Sequence, residues 1–191
     1  MGEGEYVFPV IECIDGQLIT NKCWLQPLLE HGAWCSNTAN DVLKIVVVNR
    51  YHPAPIAKAF IHRFGLTAGA IASSVAHDSH NIVAVGVDDE SLARAINLVI
   101  ETKGGVSCVG PAVAHCLPLP IGGLMSADDG YAVASAYTAI DKAAKSLGST
   151  LSAPFMSLSF MALLVIPHVK LSDKGLFDGD QFGLISTDPL H

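Results

Sequence analysis

Apolar residues recur along the chain with two rhythms. After Asp88, Leu92, Ala95, Ile96, Val99 and Ile100 fall at i, i+3, i+4, i+7 and i+8, the stripe of an amphipathic helix. Asp88 or Asp89 can cap its free amides, and Gly104 and Gly105 end it, so the pattern predicts a helix over 89–103. A second stripe follows Asp128 and Asp129: Val133, Ala136, Tyr137, Ile140, Ala144 and Leu147, closed by Gly148, predict a helix over 129–147. Elsewhere the apolar residues come in short continuous runs rich in β-branched side chains. Residues 43–51 (LKIVVVNRY), 57–66 and 81–87 (NIVAVGV) read as strands, and 105–120 reads as a hairpin turning at Gly110-Pro111. The strand predicted over 69–76 (GAIASSVA) is built of small residues, which let a neighbouring backbone come close. The run 158–166 (LSFMALLVI), lying between Pro154 and Pro167, is too short to cross a bilayer and reads as a buried strand. The first forty residues read as one strand followed by irregular structure.

Strands interrupted by only two helices imply a mixed α/β (α+β) fold, a layered sandwich of mixed sheet with helices packed on its faces. The helices are too few for a doubly wound parallel sheet. No repeat or linker divides the chain, so residues 1–191 are expected to form a single domain, with 1–5 outside the fold proper.

Composition sharpens this. Half of the residues are hydrophobic, which supplies a large core, and only 15% are charged, which points to an extensive interface with another domain or another copy. A homo-oligomer is therefore expected. The net charge of −7 and the lack of a basic cluster argue against nucleic-acid binding, and no run is long enough for a membrane span. The N-terminus carries acidic residues where an export signal carries basic ones, so a cytoplasmic location is expected. Five cysteines (Cys13, Cys23, Cys35, Cys108, Cys116) at spacings that match neither a zinc ribbon nor a redox pair read as buried free thiols.

The chemistry-bearing residues concentrate in SSVAHDSHN (73–81). No phosphate-binding loop, nucleophile elbow or zinc nucleobase-deaminase signature is present. His77, Asp78 and His80 have ligand chemistry, but positions three apart on a strand point to opposite faces, so they can converge only if the segment turns. Three readings follow: a metal site, a turn held by its own hydrogen bonds through Asp78 and Asn81, or side chains reaching a small polar ligand or a partner's active site. Arg50 and His52, at the end of a strong strand and before a proline-rich turn, can be aimed at a site or lie in a solvated loop. LPLPIGGLMS (117–126) is an apolar loop, either buried or part of an interface, and Met156 and Phe160 in the 153–167 run are core or interface groups.

In order along the chain, GQLITNK, DVLKIVVVNRYH, GAIASSVAHDSHNIVAVGVDDESLARAINLVIETKGG, LPLPIGGLMS and APFMSLSFMALLVIPHVKLSDKGLFD closely resemble the C-terminal domain of adenine deaminases, over about residues 6–185. The departures are modest: Tyr51 stands where the family usually has histidine after Arg50, Gly122 where it has alanine, Ala153 where it has aspartate and Leu164 where it has proline. The resemblance implies a hydrolytic enzyme of the amidohydrolase superfamily, in which a metal-activated water attacks C6 of adenine and ammonia leaves to give hypoxanthine. The manganese or iron it implies belongs to a TIM-like barrel with a His-x-His motif, absent from this chain, so no metal or cofactor is expected to be bound by these residues alone. The implied partner is that amidohydrolase barrel, in the same or a separate chain. On this reading His77, Asp78, His80 and Asn81, with Arg50 as a weaker candidate, face the barrel's mouth, and the chain alone is inactive. A non-catalytic structural or dimerisation module and a stand-alone small-ligand-binding protein are the alternatives.

Overall fold

Short β-branched runs lay most of the chain down as strands. The computed structural model describes residues 6–189; residues 1–5, expected to lie outside the fold, fall outside the described residues. In chain order the elements are β1 (Phe8–Cys13), β2 (Thr20–Leu25), β3 (Leu28–Glu30), β4 (Ala33–Cys35), β5 (Val42–Val48), β6 (Ala57–His62), β7 (Ala70–Ser73), β8 (Ile82–Gly86), α1 (Asp89–Glu101), β9 (Gly105–Gly110), β10 (Val113–Pro118), α2 (Gly130–Ser146), α3 (Pro154–Phe160), β11 (Val169–Ser172), β12 (Gly175–Asp178) and β13 (Gly183–Leu184). Eight strands form the main sheet in the order β10-β9-β7-β8-β5-β6-β1-β2. Only β1 and β6 run parallel; every other pairing in it is antiparallel. The fold is therefore α+β, a mixed sheet with helices on both faces, as the sequence predicts.

Side-chain alternation divides the core in two. One face sends Ile45, Val47, Ile61, Ile71, Val85 and Cys108 under α2, α3 and the β11–β12 hairpin. The other sends Val46, Ala70, Ala72, Ile82 and Ala84 under α1, which buries Leu92, Ala95, Ile96 and Val99. The small residues of β7 serve this close approach: a Cβ added to Gly86 on the neighbouring strand would lie 2.6 Å from Ala70 Cβ and 2.9 Å from Leu92 Cγ. Asp88 caps α1, its Oδ1 accepting the Ser91 N–H at 2.7 Å, and Asp129 caps α2 through the Tyr131 and Ala132 amides.

Several expectations need correction. The 158–166 run is not a strand. It opens as the last turns of α3, with Pro154 at the first helical position, and continues as turns. A continuous apolar run carries no period to separate strand from buried helix; Phe155, Leu158 and Met161, three apart, are all buried on the helical face. The first forty residues hold four strands rather than one, because β1 and β2 form an antiparallel hairpin and β3 and β4 a small separate one. Within the helical stripes Ile100 is half exposed and Ala136 is exposed, while Ala143 is buried instead. All five cysteines are free, but only Cys13 and Cys108 are buried. Among the described residues no helix is long and apolar enough to cross a membrane.

Candidate functional site

The HDSHN segment is the connection from β7 to β8, and the sheet places it. Ser73 pairs with Val83, and Val48 at the end of β5 pairs with Ile82, so β5 and β7 both finish where β8 begins. Antiparallel pairing of β9 with β7 brings Gly105 and the loop after Pro118 to the same end. Four loops thus meet there: 49–56, 74–81, 102–105 and 119–125.

The segment does turn. The His80 N–H donates to Ala76 O at 2.7 Å, closing a tight loop in which His80 takes a left-handed φ of 54°. The turn is pinned from below by the His77 N–H donating to Ser159 O at 3.0 Å, which ties it to α3. The His77 ring lies 5.0 Å from that of Phe160 and 5.6 Å from that of His80, the latter pair edge-to-face. Asp78 and Ser79 are exposed at the tip. Asn81 is buried, its Oδ1 accepting the Arg50 N–H at 3.3 Å and its Nδ2 donating to Ser79 Oγ at 3.2 Å.

Arg50 spends its guanidinium on the scaffold. Nε donates to His80 O at 2.6 Å and Nη2 to Gly122 O, with the group 4.8 Å above the Tyr51 ring, whose hydroxyl donates to Ser79 O at 2.8 Å. One arginine thus ties the turn to the apolar loop. Gly123 makes room for it: with φ +80°, a Cβ there would sit 2.6 Å from Arg50 Nη1. Buried Ser74 completes the joint, donating to Gly123 O at 2.6 Å and accepting the Gly105 N–H at 2.8 Å.

The structure therefore brings together His77, Asp78, His80, Asn81 and Arg50, while His52 is exposed on the adjoining loop, its backbone N–H held by Asn49 Oδ1. Sequence reasoning missed Tyr51, Ser74, Gly123 and Ser159 as partners of the turn. The Gly122-Gly123 pair was the available signal, since paired glycines in an apolar loop mark close approach; Ser159 acts through its carbonyl, and the Tyr51 and Ser74 hydroxyls meet backbone groups that no motif encodes.

The electrostatics single out His80. Burial, then the neighbouring His77 and Arg50, hold its imidazole below the usual histidine range against a smaller opposing pull from Asp78. Its Nδ1 is buried and has no hydrogen-bond partner among the described residues. A neutral imidazole with an unmet ring nitrogen, beside an exposed carboxylate, can relay a proton. The same residues do not fit a complete metal centre: among the described residues no three histidine, cysteine, aspartate or glutamate side chains converge as a cation would need. Beside the turn, between the sheet, α2 and α3, lies an apolar cavity of about 420 Å³ whose wall includes Ser73, Val133, Tyr137, Met156 and Ser159.

The adenine deaminase C-terminal domain model matches residues 17–183. The chain is 51% identical over 179 residues to an adenine deaminase of Sulfurovum sp. (strain NBC37-1), covering 93% of this chain and 32% of that protein. It is 47% identical over 184 residues to that of Methanosarcina acetivorans (96% and 33%) and 49% identical over 178 residues to that of Salinibacter ruber (92% and 32%). It spans about a third of the length of these curated relatives. A single family model running from β2's approach to β13, with relatives matched over nine-tenths of the chain, leaves one assignment: this chain belongs to the adenine deaminase C-terminal domain family.

Proposed function

We propose that this chain is the closing domain of a cytoplasmic adenine-deaminating hydrolase. It is inactive alone and completes an active site whose metal, manganese or iron, is held by an amidohydrolase barrel in the same or a separate chain. The observation that carries this reading is the build of the HDSHN turn. A depressed, neutral His80 with a buried unmet Nδ1 and an exposed Asp78 are held out at one end of the sheet by a dedicated clamp. In this reading His80, supported by His77, relays a proton and Asp78 meets a polar ring atom of the substrate. Arg50 and Asn81 act as positioning residues, since their polar groups are already engaged within the turn. The complete enzyme assembles as a homo-oligomer.

A second reading has its own support: so many of the turn's hydrogen bonds are internal that HDSHN could serve the fold alone. One set of variants separates the two. In an adenine deaminase whose C-terminal third is replaced by this chain, His80→Ala and Asp78→Ala should lower turnover about 10²–10⁴-fold, with metal content and melting temperature retained. A lowered melting temperature with unchanged turnover per folded enzyme would favour the purely structural reading.

A further inference from the structure

Charge is distributed unevenly over this fold. No Asp, Glu, Lys or Arg occurs in residues 104–127, 130–140 or 146–169, in a chain that carries 11 basic and 18 acidic residues. The first two stretches and α3 of the third gather on one side of the molecule, where α2 covers β9 and β10 and α3 packs beside it on β7, while 167–169 reach across to β2. The helix α2 itself changes character along its length. From Ile140 onward it is packed by Ile140, Ala143 and Ala144, and its outer side carries Asp141, Lys142 and Lys145. Its first half, Gly130–Ala139, is without charge and rests on the core only through half-buried Val133 and Tyr137: Tyr131 is 89% exposed, Ala132, Ala134, Ala136 and Ala139 are exposed, and the apolar cavity opens beneath Val133 and Ala134. Met156 of α3, 54% exposed, lines the same cavity. Monomeric proteins seldom leave such a face in water.

We propose that this face, the first half of α2 together with Met156, is the docking surface for the catalytic region of an adenine deaminase, whose apolar side chains fill the cavity. The inference rests on the functional reading above and adds where the two parts join. Two observations choose this occupant over a second copy of the chain. About two thirds of the relatives' length lies outside the part matched here, so a large partner is at hand in each of them. The face is continuous with the HDSHN turn: Ser159, which lines the cavity, holds His77 through its carbonyl, and Phe160 packs on the His77 ring.

Amide hydrogen exchange tests this on the 191-residue chain and on the Sulfurovum adenine deaminase carrying this chain in place of its matched third. Residues 130–138 should exchange about tenfold or more slowly in the hybrid than in the free chain, and Ala134→Arg should abolish that difference while leaving the free chain's melting temperature unchanged. Lys142→Glu, on the packed half, should not. Equal exchange in both proteins overturns the proposal. So does protection in the free chain that grows with its concentration, because a second copy then covers the face. The outcome is separable from that of the turn: protection with a His80→Ala turnover unchanged would retain the docking surface and remove the active-site role of the turn.

Discussion

At the scale of single residues, two kinds of ionisable group, a lysine and the thiols, make opposite demands. Lys170 is 1% exposed, its Nζ donating to Leu18 O at 2.7 Å, and burial pushes its pKa down to about 8, against a smaller opposing effect of Cys13. Because the folded state holds this proton less tightly than the unfolded chain, the charged lysine destabilises the fold fully below pH 8, and the cost is relieved as pH rises toward 10.5. Relative to Lys170→Met, the natural chain should gain about 1 kcal/mol between pH 8 and pH 9, read from denaturant midpoints. Parallel pH dependence in the two proteins would show that Lys170 does not titrate this way. The thiols run the other way: burial raises Cys13 and Cys23 to about 11 and Cys108 to about 12, so their contribution is present below pH 9 and is lost above it. Comparing the two variants cancels most of that loss. His80 belongs to the same scale, since only its neutral form suits the buried Nδ1.

Between residues and the whole stand the helices, turns and loops. Asp88→Ala removes the acceptor for Ser91 N–H and should cost about 1 kcal/mol in thermal unfolding; a loss under a few tenths would show that the cap is replaced by water. Gly123→Ala forces a Cβ into the Arg50 guanidinium at a left-handed φ and should cost roughly 1–3 kcal/mol, with loosening of the 119–125 loop read by proteolysis. An unchanged melting temperature would mean the loop gives way freely. These elements also mark how far the chain could be read from its letters. Both long helices and six strands of the main sheet were legible because their caps, glycine stops and periodicity are local signals. Residues 154–160 were not, because Phe155, Leu158 and Met161 belong to a largely apolar run interrupted only by Ser157 and Ser159, and the choice between helix and strand was made by Pro154 and by packing. The turn was legible as a cluster of His77, Asp78, His80 and Asn81; its clamp was not, since Arg50 acts on the carbonyls of His80 and Gly122, which are invisible to any side-chain motif.

Over the whole molecule, a single eight-stranded sheet carries its chemistry at one end and its uncharged face beside it. This is the arrangement that the proposed closing role requires. The measurement that tests this most directly is the rate of ammonia release from adenine with manganese or iron supplied. The 191-residue chain alone should release none, and the hybrid carrying it in place of the Sulfurovum enzyme's matched third should release ammonia at a rate that falls about 10²–10⁴-fold with His80→Ala. Metal-dependent ammonia release by the isolated chain, or a hybrid indifferent to His80→Ala, would contradict the account.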